Sequence, residues 1–118
     1  MILKTVWHKG KEILIVDYGN LNEDGMLNIL EVLNSYIITH GKPMRVLNIF
    51  GEKNFITRKF IQEAEHRLKK VEYLVSKQAI TGLTPIRMWI LKAFNLVIAK
   101  AIEPFGSVEE ALDFLAQD

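Results

Sequence analysis

The run Ile13-Leu14-Ile15-Val16 constrains the fold of this chain more than any other stretch. Its apolar residues are continuous rather than alternating, a pattern typical of a strand that is covered on both faces. We therefore expect an interior strand here, with other parts of the protein packed on each side of the sheet.

Short β-rich runs and amphipathic helices alternate along the rest of the chain. The predicted strands are residues 2–8, 11–17, 44–49, 78–81 and a proline-marked edge run at 102–105. The predicted helices are residues 23–40, 58–70, 83–101 and 108 onward, and residues 71–76 are ambiguous between a helix end and a strand start. A short connection containing Gly10 makes a hairpin of the first two strands, and the later strands pair in parallel through right-handed crossovers. The predicted fold is an α/β sandwich with a mostly parallel sheet, an N-terminal hairpin and four helices.

Polar residues mark the starts of three of these helices. Thr57 and Thr84 stand where a side chain can cap the first free amides of a helix. Ser107, with an acidic residue three positions later, begins a capping box for the last helix. Gly41 supplies the left-handed stop that ends the first helix.

Composition narrows the class of protein. The 118 residues suit one domain, residues 1–118, which is long enough to bury a core. A net charge of +1, from 15 basic and 14 acidic residues, gives no field that would gather nucleic acid, so no nucleic-acid partner is expected. The chain has no cysteine, which excludes thiolate metal sites and cysteine nucleophiles. Because there is no leader pattern and no uncharged apolar run of about 20 residues, we expect a cytoplasmic protein.

The helix predicted over Leu83–Ala101 is apolar on more sides than a surface helix of a small domain needs. On a helical projection Ile90, Ala93, Phe94 and Val97 share one face, and we assign that face to the core.

A second group of residues on this helix points the other way. Met88, Trp89 and Leu96 lie there beside Lys92, and we predict that these four residues contact a partner. The sequence leaves open whether that partner is another part of the fold, a second subunit, an apolar ligand or a membrane surface. In the last case the protein would lie peripherally at the membrane.

The chemistry of an enzyme site is hard to find in this sequence. His8, His40 and His66 lie apart, at spacings that do not suit metal ligands. Asp17 has no acidic neighbour, and no glycine pattern of a nucleotide site is present. We therefore expect no enzyme, no cofactor and no metal. Titratable residues that only the fold brings together, such as Asp17 or His40 beside a second one in an enclosed pocket, would reopen the question.

Several segments, taken together, resemble the SpoIIAA-like family. They are KGKEILIVDYG at residues 9–19, FIT at 55–57, AITG at 79–82 before the long apolar helix, and IEPFGSVEEAL at 102–112. Their order is the specific part, and it covers nearly the whole chain. Proteins of this family are similar to the STAS domains of anti-sigma-factor antagonists, so the resemblance implies a sheet faced by helices and a non-catalytic regulatory or binding module. It also implies binding of apolar ligands and membrane association through movement of a helical segment.

The resemblance also suggests an alternative function. Phosphorylated antagonists carry Asp-Ser followed closely by Gly where the second helix begins, and the matching place here is Ile56-Thr57-Arg58-Lys59. Only the hydroxyl of Thr57 is kept, so helix capping by Thr57 is a stronger interpretation than phosphorylation. The alternative is a protein-interaction regulator that acts by partner switching, presenting Lys53, its loop at residues 50–54 and Thr57 to a partner kinase or sensor.

We also expect self-association. The outer apolar residues of helix 83–101, in a chain with little net charge, should be hidden against a second copy when no ligand is present. The same patch meeting itself about a two-fold axis leaves no exposed copy, so the predicted assembly is a homodimer.

Overall fold

A computed structural model describes residues 3–118 of the chain. Five strands form one sheet in the order β1-β2-β3-β4-β5, with helices on both of its faces. The strands are β1 (Leu3–His8), β2 (Lys11–Asp17), β3 (Met44–Ile49), β4 (Val75–Thr81) and β5 (Ile102–Phe105). The helices are α1 (Glu23–His40), α2 (Arg58–Val71), α3 (Pro85–Asn95) and α4 (Val108–Ala116), and a short 3-10 turn covers Glu72–Leu74.

The strand directions agree with the sequence. β1 is antiparallel to β2, and the other neighbouring pairs are parallel. The hairpin turn consists of Lys9 and Gly10, whose φ angles of +50° and +80° match the turn type that suits the twist of two short strands. The predicted α/β fold with an N-terminal hairpin and four helices is confirmed. The first predicted strand began at Ile2, which lies outside the described residues.

The interior strand predicted at Ile13 to Val16 is β2, which lies between β1 and β3. All four side chains are at most 6% exposed. Leu14 and Val16 pack with α1, α2 and α3, whereas Ile13 and Ile15 pack with α4. Its apolar run is therefore continuous because the strand contributes to two cores.

The predicted helix caps are all present. The hydroxyl oxygens of Thr57, Thr84 and Ser107 each accept a hydrogen bond from the backbone N–H three residues later, at 3.1, 3.3 and 3.2 Å. Gly41 ends α1 with a φ of +70°. These bonds satisfy amides that a helix leaves unpaired, and each predicted cap stands directly before the first residue of its helix.

Charged side chains hold α4 on its face of the sheet. Arg45 of β3 and Lys77 of β4 donate hydrogen bonds to carbonyl oxygens at the C-terminal end of α4, where positive charge is favourable. In the middle of α4, Asp113 Oδ1 lies 2.7 Å from His8 Nε2 and 2.9 Å from Lys9 Nζ. The hydrogen bonds from His8 and Lys9 lower the pKa of Asp113. The hairpin and the last helix are thus joined by polar contacts as well as by the core.

The third helix is shorter than predicted. α3 ends at Asn95 rather than at residue 101, and residues 96–100 form turns and bends. The Asn95 side chain accepts from the Ile102 N–H and donates to the Ile102 carbonyl, at 2.9 and 3.1 Å. Because β5 must return parallel to β4, the chain leaves the helix here, although Leu96 and Val97 continue the apolar pattern.

The predicted core face of α3 is also wrong. Leu91 is buried, whereas Ala93 and Val97 of the predicted core face are exposed. The other two predicted core residues are half-buried. The side of α3 that faces the sheet carries Arg87, Leu91 and Phe94. A helical projection that places only apolar residues in the core turns this side, with its arginine, away from the sheet.

The fourth strand begins at Val75, three residues before the prediction. α2 continues to Val71, a 3-10 turn covers Glu72–Leu74, and β4 begins at Val75. The ambiguous residues 71–76 therefore contain both a helix end and a strand start. Met44 pairs with Val75 at the start of β3, so the extra residues of β4 complete the parallel ladder.

Candidate functional site

An apolar pocket of about 120 Å³ lies between α2, α3 and the sheet. Its walls are aliphatic and aromatic side chains, among them Phe60, Ala64 and Leu68 of α2 and Ile90, Leu91 and Phe94 of α3. The backbones of α2 and α3 do not pack closely against each other, which leaves room for the pocket between them. No Asp, Glu, His, Ser or Thr within residues 3–118 lines this pocket.

Three aromatic rings close one part of the pocket. Tyr18 stacks on Phe50 with ring centroids 4.6 Å apart, and Phe60 meets both rings edge-on at 5.8 and 6.0 Å. Such arrangements stabilise beyond the area they bury, which fixes this wall. Burial raises the pKa of Tyr18, so its hydroxyl stays neutral.

Two carboxamides lie on the pocket floor, on strands β3 and β4. Asn48 and Gln78 are 9% and 7% exposed, and both line the pocket. Asn48 donates to the Ala79 carbonyl over a long 3.4 Å. The otherwise apolar floor thus carries two polar groups.

Arg87 fastens the N-terminal end of α3 to the loop that follows β3. Its Nη1 donates to the Gly51 and Gly82 carbonyls, both at 3.0 Å, and its Nη2 donates to the Asn54 carbonyl. No carboxylate lies within ion-pair distance of Arg87 in residues 3–118. The guanidinium is therefore held by backbone oxygens.

Asn54 joins the two loops at the carboxyl ends of β2 and β3. Its side-chain nitrogen donates to the carbonyls of Tyr18 and Leu21 at 2.7 and 3.0 Å, and its side-chain oxygen accepts from the Gly51 N–H at 2.7 Å. Asn54 is 3% exposed. One buried amide thus satisfies three backbone groups.

Gly82 allows the chain to pass from β4 into α3. Its φ is +83°, and a Cβ atom there would lie 1.9 Å from the carbonyl oxygen of Phe50. The two loops at this edge of the sheet therefore approach more closely than any side chain permits.

A shallower depression of about 300 Å³ adjoins the pocket beside the start of α3. It shares Ile56, Arg87 and Ile90 with the inner pocket. Phe55 and Ile86 line its rim, and both are exposed. The apolar pocket therefore adjoins an open depression with a partly polar lining at this end of α3.

The outward face of α3 and of the turn after it carries an outer stripe of exposed apolar side chains: Ile86, Trp89, Leu96 and Val97. Trp89 is 73% exposed and Leu96 is 86% exposed. Lys92 is also exposed, with its Nζ 5.2 Å from the centroid of the Trp89 ring.

The structure places the predicted contact residues in two settings. Trp89, Lys92 and Leu96 are exposed on the outer side, while Met88 is half-buried. Lys53 is exposed, and the hydroxyl of half-buried Thr57 is occupied as the cap of α2. The capping interpretation of Thr57 is confirmed.

The sequence does not predict the inner pocket. Its lining comes from several distant segments, and only the fold brings them together. Arg87 carried a signal, because it is a single cation on the sheet-facing side of a largely apolar helix. Gln78 carried another, because a long amide side chain is unusual in a strand predicted to lie in the interior.

Metal binding and membrane spanning each require a recognisable arrangement of residues. Within residues 3–118, no group of three or more His, Asp or Glu side chains is arranged to hold a metal ion. None of the described helices is both long enough and apolar enough to cross a membrane.

Comparison with known proteins identifies the architecture. No model of a protein family matches the sequence, and no curated protein matches it either. A crystal structure of an uncharacterised protein of the DUF3478 family from Shewanella loihica PV-4, with a SpoIIAA-like fold, superposes with a TM-score of 0.71. The match covers 96% of this chain and 91% of that one, at 15% sequence identity.

The chain has a SpoIIAA-like fold. The resemblance read from the order of its motifs is thus confirmed for the architecture. The SpoIIAA-like fold places α1, α2 and α3 together on one face of the sheet, and the pocket lies within that layer. An identity of 15% shows the fold alone, because one fold can host many unrelated functions.

Proposed function

We propose that this protein is a non-catalytic binding module that takes up a small apolar ligand between α2 and α3. The observation that carries the proposal is the apolar pocket of about 120 Å³ in an otherwise close-packed core. A ligand that fills the pocket gains contacts with apolar walls that otherwise lack partner atoms on that side. Concave, mostly apolar sites are typical of small-molecule binding.

The lining supports binding rather than catalysis. General acid–base and nucleophilic catalysis need titratable or nucleophilic groups held together. The polar side chains of the inner pocket are two arginines, three carboxamides and the Tyr18 phenol. Burial keeps that phenol neutral, and both arginines are engaged by other groups of the protein.

We expect Ala64→Leu to weaken binding of a small apolar probe, because the larger side chain occupies the pocket that Ala64 lines. Toluene and phenol are suitable probes, followed by methyl and aromatic shifts in NMR spectra. The variant should bind at least about tenfold more weakly, while its thermal stability is unchanged or raised by the filled space. Ala93→Leu, on the exposed side of α3, is the matched control and should bind as the wild type does. Binding of neither probe by the wild type would contradict the proposed function.

The outer stripe supports a second part of the proposal, contact with another surface. Exposed apolar patches in small proteins mark interaction sites, and Trp89 with Lys92 combines an aromatic ring with a cation. A membrane surface fits this composition, because an aromatic ring and a lysine both suit the headgroup region. Without ligand or membrane, we expect the stripe to be covered by a second copy of the chain.

Trp89→Lys should abolish both kinds of association, because it places a second cation in the middle of the stripe. Light scattering at low micromolar concentration should give a dimer mass for the wild type and a monomer mass for the variant. Sedimentation with anionic vesicles should recover the wild type and leave the variant in solution. Trp7→Lys, an equally exposed tryptophan on β1, is the matched control and should behave as the wild type. A monomer that ignores vesicles would remove this part of the proposal.

The alternative function is a regulator that acts by partner switching. It is supported by exposed Lys53 beside exposed Phe55, at the start of α2. It has less support than ligand binding because the Thr57 hydroxyl already caps α2. Its test is affinity capture, in which the wild type should recover a partner that Lys53→Glu does not.

A further inference from the structure

The pocket contains two amide side chains, those of Asn48 and Gln78, that a purely apolar ligand would not use. In the register of β3 and β4, Val46 is opposite Gln78 and Asn48 is opposite Ile80. Asn48 and Gln78 are therefore diagonal neighbours on the same face of the sheet, beneath α2 and α3. Asn48, the β3 member, is 9% exposed, and Gln78, the β4 member, is 7% exposed.

The hydrogen bonds of these two amides are incomplete. Asn48 has one long bond, from its nitrogen to the Ala79 carbonyl at 3.4 Å. The Gln78 side chain makes no hydrogen bond with any residue from 3 to 118. In that part of the chain every fully enclosed side-chain nitrogen or oxygen has a partner. The amide of Gln78 is thus not fully enclosed by the protein, and Gln78 lines the pocket.

We propose that the pocket binds an apolar compound that carries one neutral hydrogen-bonding oxygen, a hydroxyl or a carbonyl, which the amides of Gln78 and Asn48 hold. This inference rests on the proposed function and specifies its ligand. A cavity of about 150 Å³ accommodates benzene, so a pocket of about 120 Å³ suits a ligand part near the size of one ring.

A neutral oxygen fits the electrostatics better than a charged group. The two cationic side chains of the lining are already engaged: Arg67 pairs with Glu63 at 3.4 Å, and Arg87 donates to three backbone carbonyls. A buried charge without a partner is strongly disfavoured, whereas a carboxamide both donates to and accepts from a neutral hydroxyl.

The amides should also make the pocket selective. A site built to hydrogen-bond an oxygen rejects the analogue that lacks it, because its own polar groups are then left unpaired. In a purely apolar cavity the preference is the opposite, since the hydroxyl would lose its water and gain nothing.

Phenol and toluene, which are similar in size, provide the test. Calorimetric or NMR titration of the wild type should show phenol binding about tenfold more tightly than toluene. Gln78→Met keeps the length of the side chain and removes the amide, so it should reverse the preference in favour of toluene. Gln62→Met, on the exposed side of α2, is the matched control and should keep the preference of the wild type.

The outcomes separate this inference from the proposed function. Toluene binding as tightly as phenol, or more tightly, in the wild type would overturn the polar subsite and leave apolar binding intact. An unchanged preference in a folded Gln78→Met variant would also overturn it. If that variant does not fold, the comparison of the two probes on the wild type decides alone. Binding of neither probe would contradict the proposed function and the inference with it.

Discussion

Gly82→Ala should lower the free energy of unfolding by more than about 4 kcal/mol, or prevent folding altogether. The added Cβ would lie 1.9 Å from the carbonyl oxygen of Phe50, which is backbone and cannot rotate away. The φ of +83° adds strain, because side chains other than glycine rarely adopt it. Urea denaturation followed by circular dichroism measures the loss.

Gly10→Ala is the matched control for this prediction. Gly10 has a φ of +80°, but a Cβ there meets no atom within 4 Å. It should therefore show the backbone strain alone, about 1–2 kcal/mol. Equal losses in the two variants would show that the contact between Gly82 and Phe50 is not a constraint on the fold.

Asn54→Asp should cost about 3 kcal/mol or more, although it changes the side chain by a single atom. The amide nitrogen of Asn54 donates to the carbonyls of Tyr18 and Leu21, and a carboxylate would place an oxygen against those two oxygens. The site is 3% exposed, so water cannot relieve the repulsion. Thermal unfolding at neutral pH provides the measurement.

Asn20→Asp introduces the same charge near the same loop and should be almost neutral. Asn20 is exposed, and its φ of +68° is one that aspartate tolerates. A similar loss in both variants would attribute the effect to added charge rather than to the buried hydrogen bonds of Asn54.

The parts of the fold that could be predicted depend on local physics. Thr57, Thr84 and Ser107 cap helices through bonds to residues three positions away, so a short window contains the whole interaction. The continuous run of β2 likewise reports burial on both faces without reference to the rest of the chain.

The end of α3 was not predictable in the same way. The bonds of Asn95 to Ile102 are decided by where β5 joins the sheet, and no glycine or proline marks the position. The rotation of α3 depends on Arg87, which faces inwards because three carbonyls from separate segments receive it. A projection of apolarity places such a residue on the wrong side.

In the candidate site, too, the part that lies on one helix could be predicted and the part formed by distant segments could not. The surplus of apolar residues on one helix predicts a contact surface that includes Trp89 and Leu96, but it leaves open what covers that surface. In the single chain both residues are exposed. The inner pocket combines residues of α1, α2, α3 and the sheet, and its two floor amides lie on separate strands. A pocket between helices and a sheet leaves no pattern in the sequence. The residues that face it are apolar, as they would be if the neighbouring element packed directly against them.

The attachment of α3 sets how the pocket can discriminate by size. Arg87 ties the N-terminal end of the helix and Asn95 ties the C-terminal end, each through bonds to the backbone. A guest larger than the resting pocket must push α3 outwards and break some of these bonds. Since apparent affinity scales with the fraction of molecules in the competent state, the opening free energy is subtracted from the affinity of every larger guest. Affinity should therefore fall gradually as the guest becomes larger. Weakening the bonds of Arg87 or of Asn95 should broaden the range of compounds accepted.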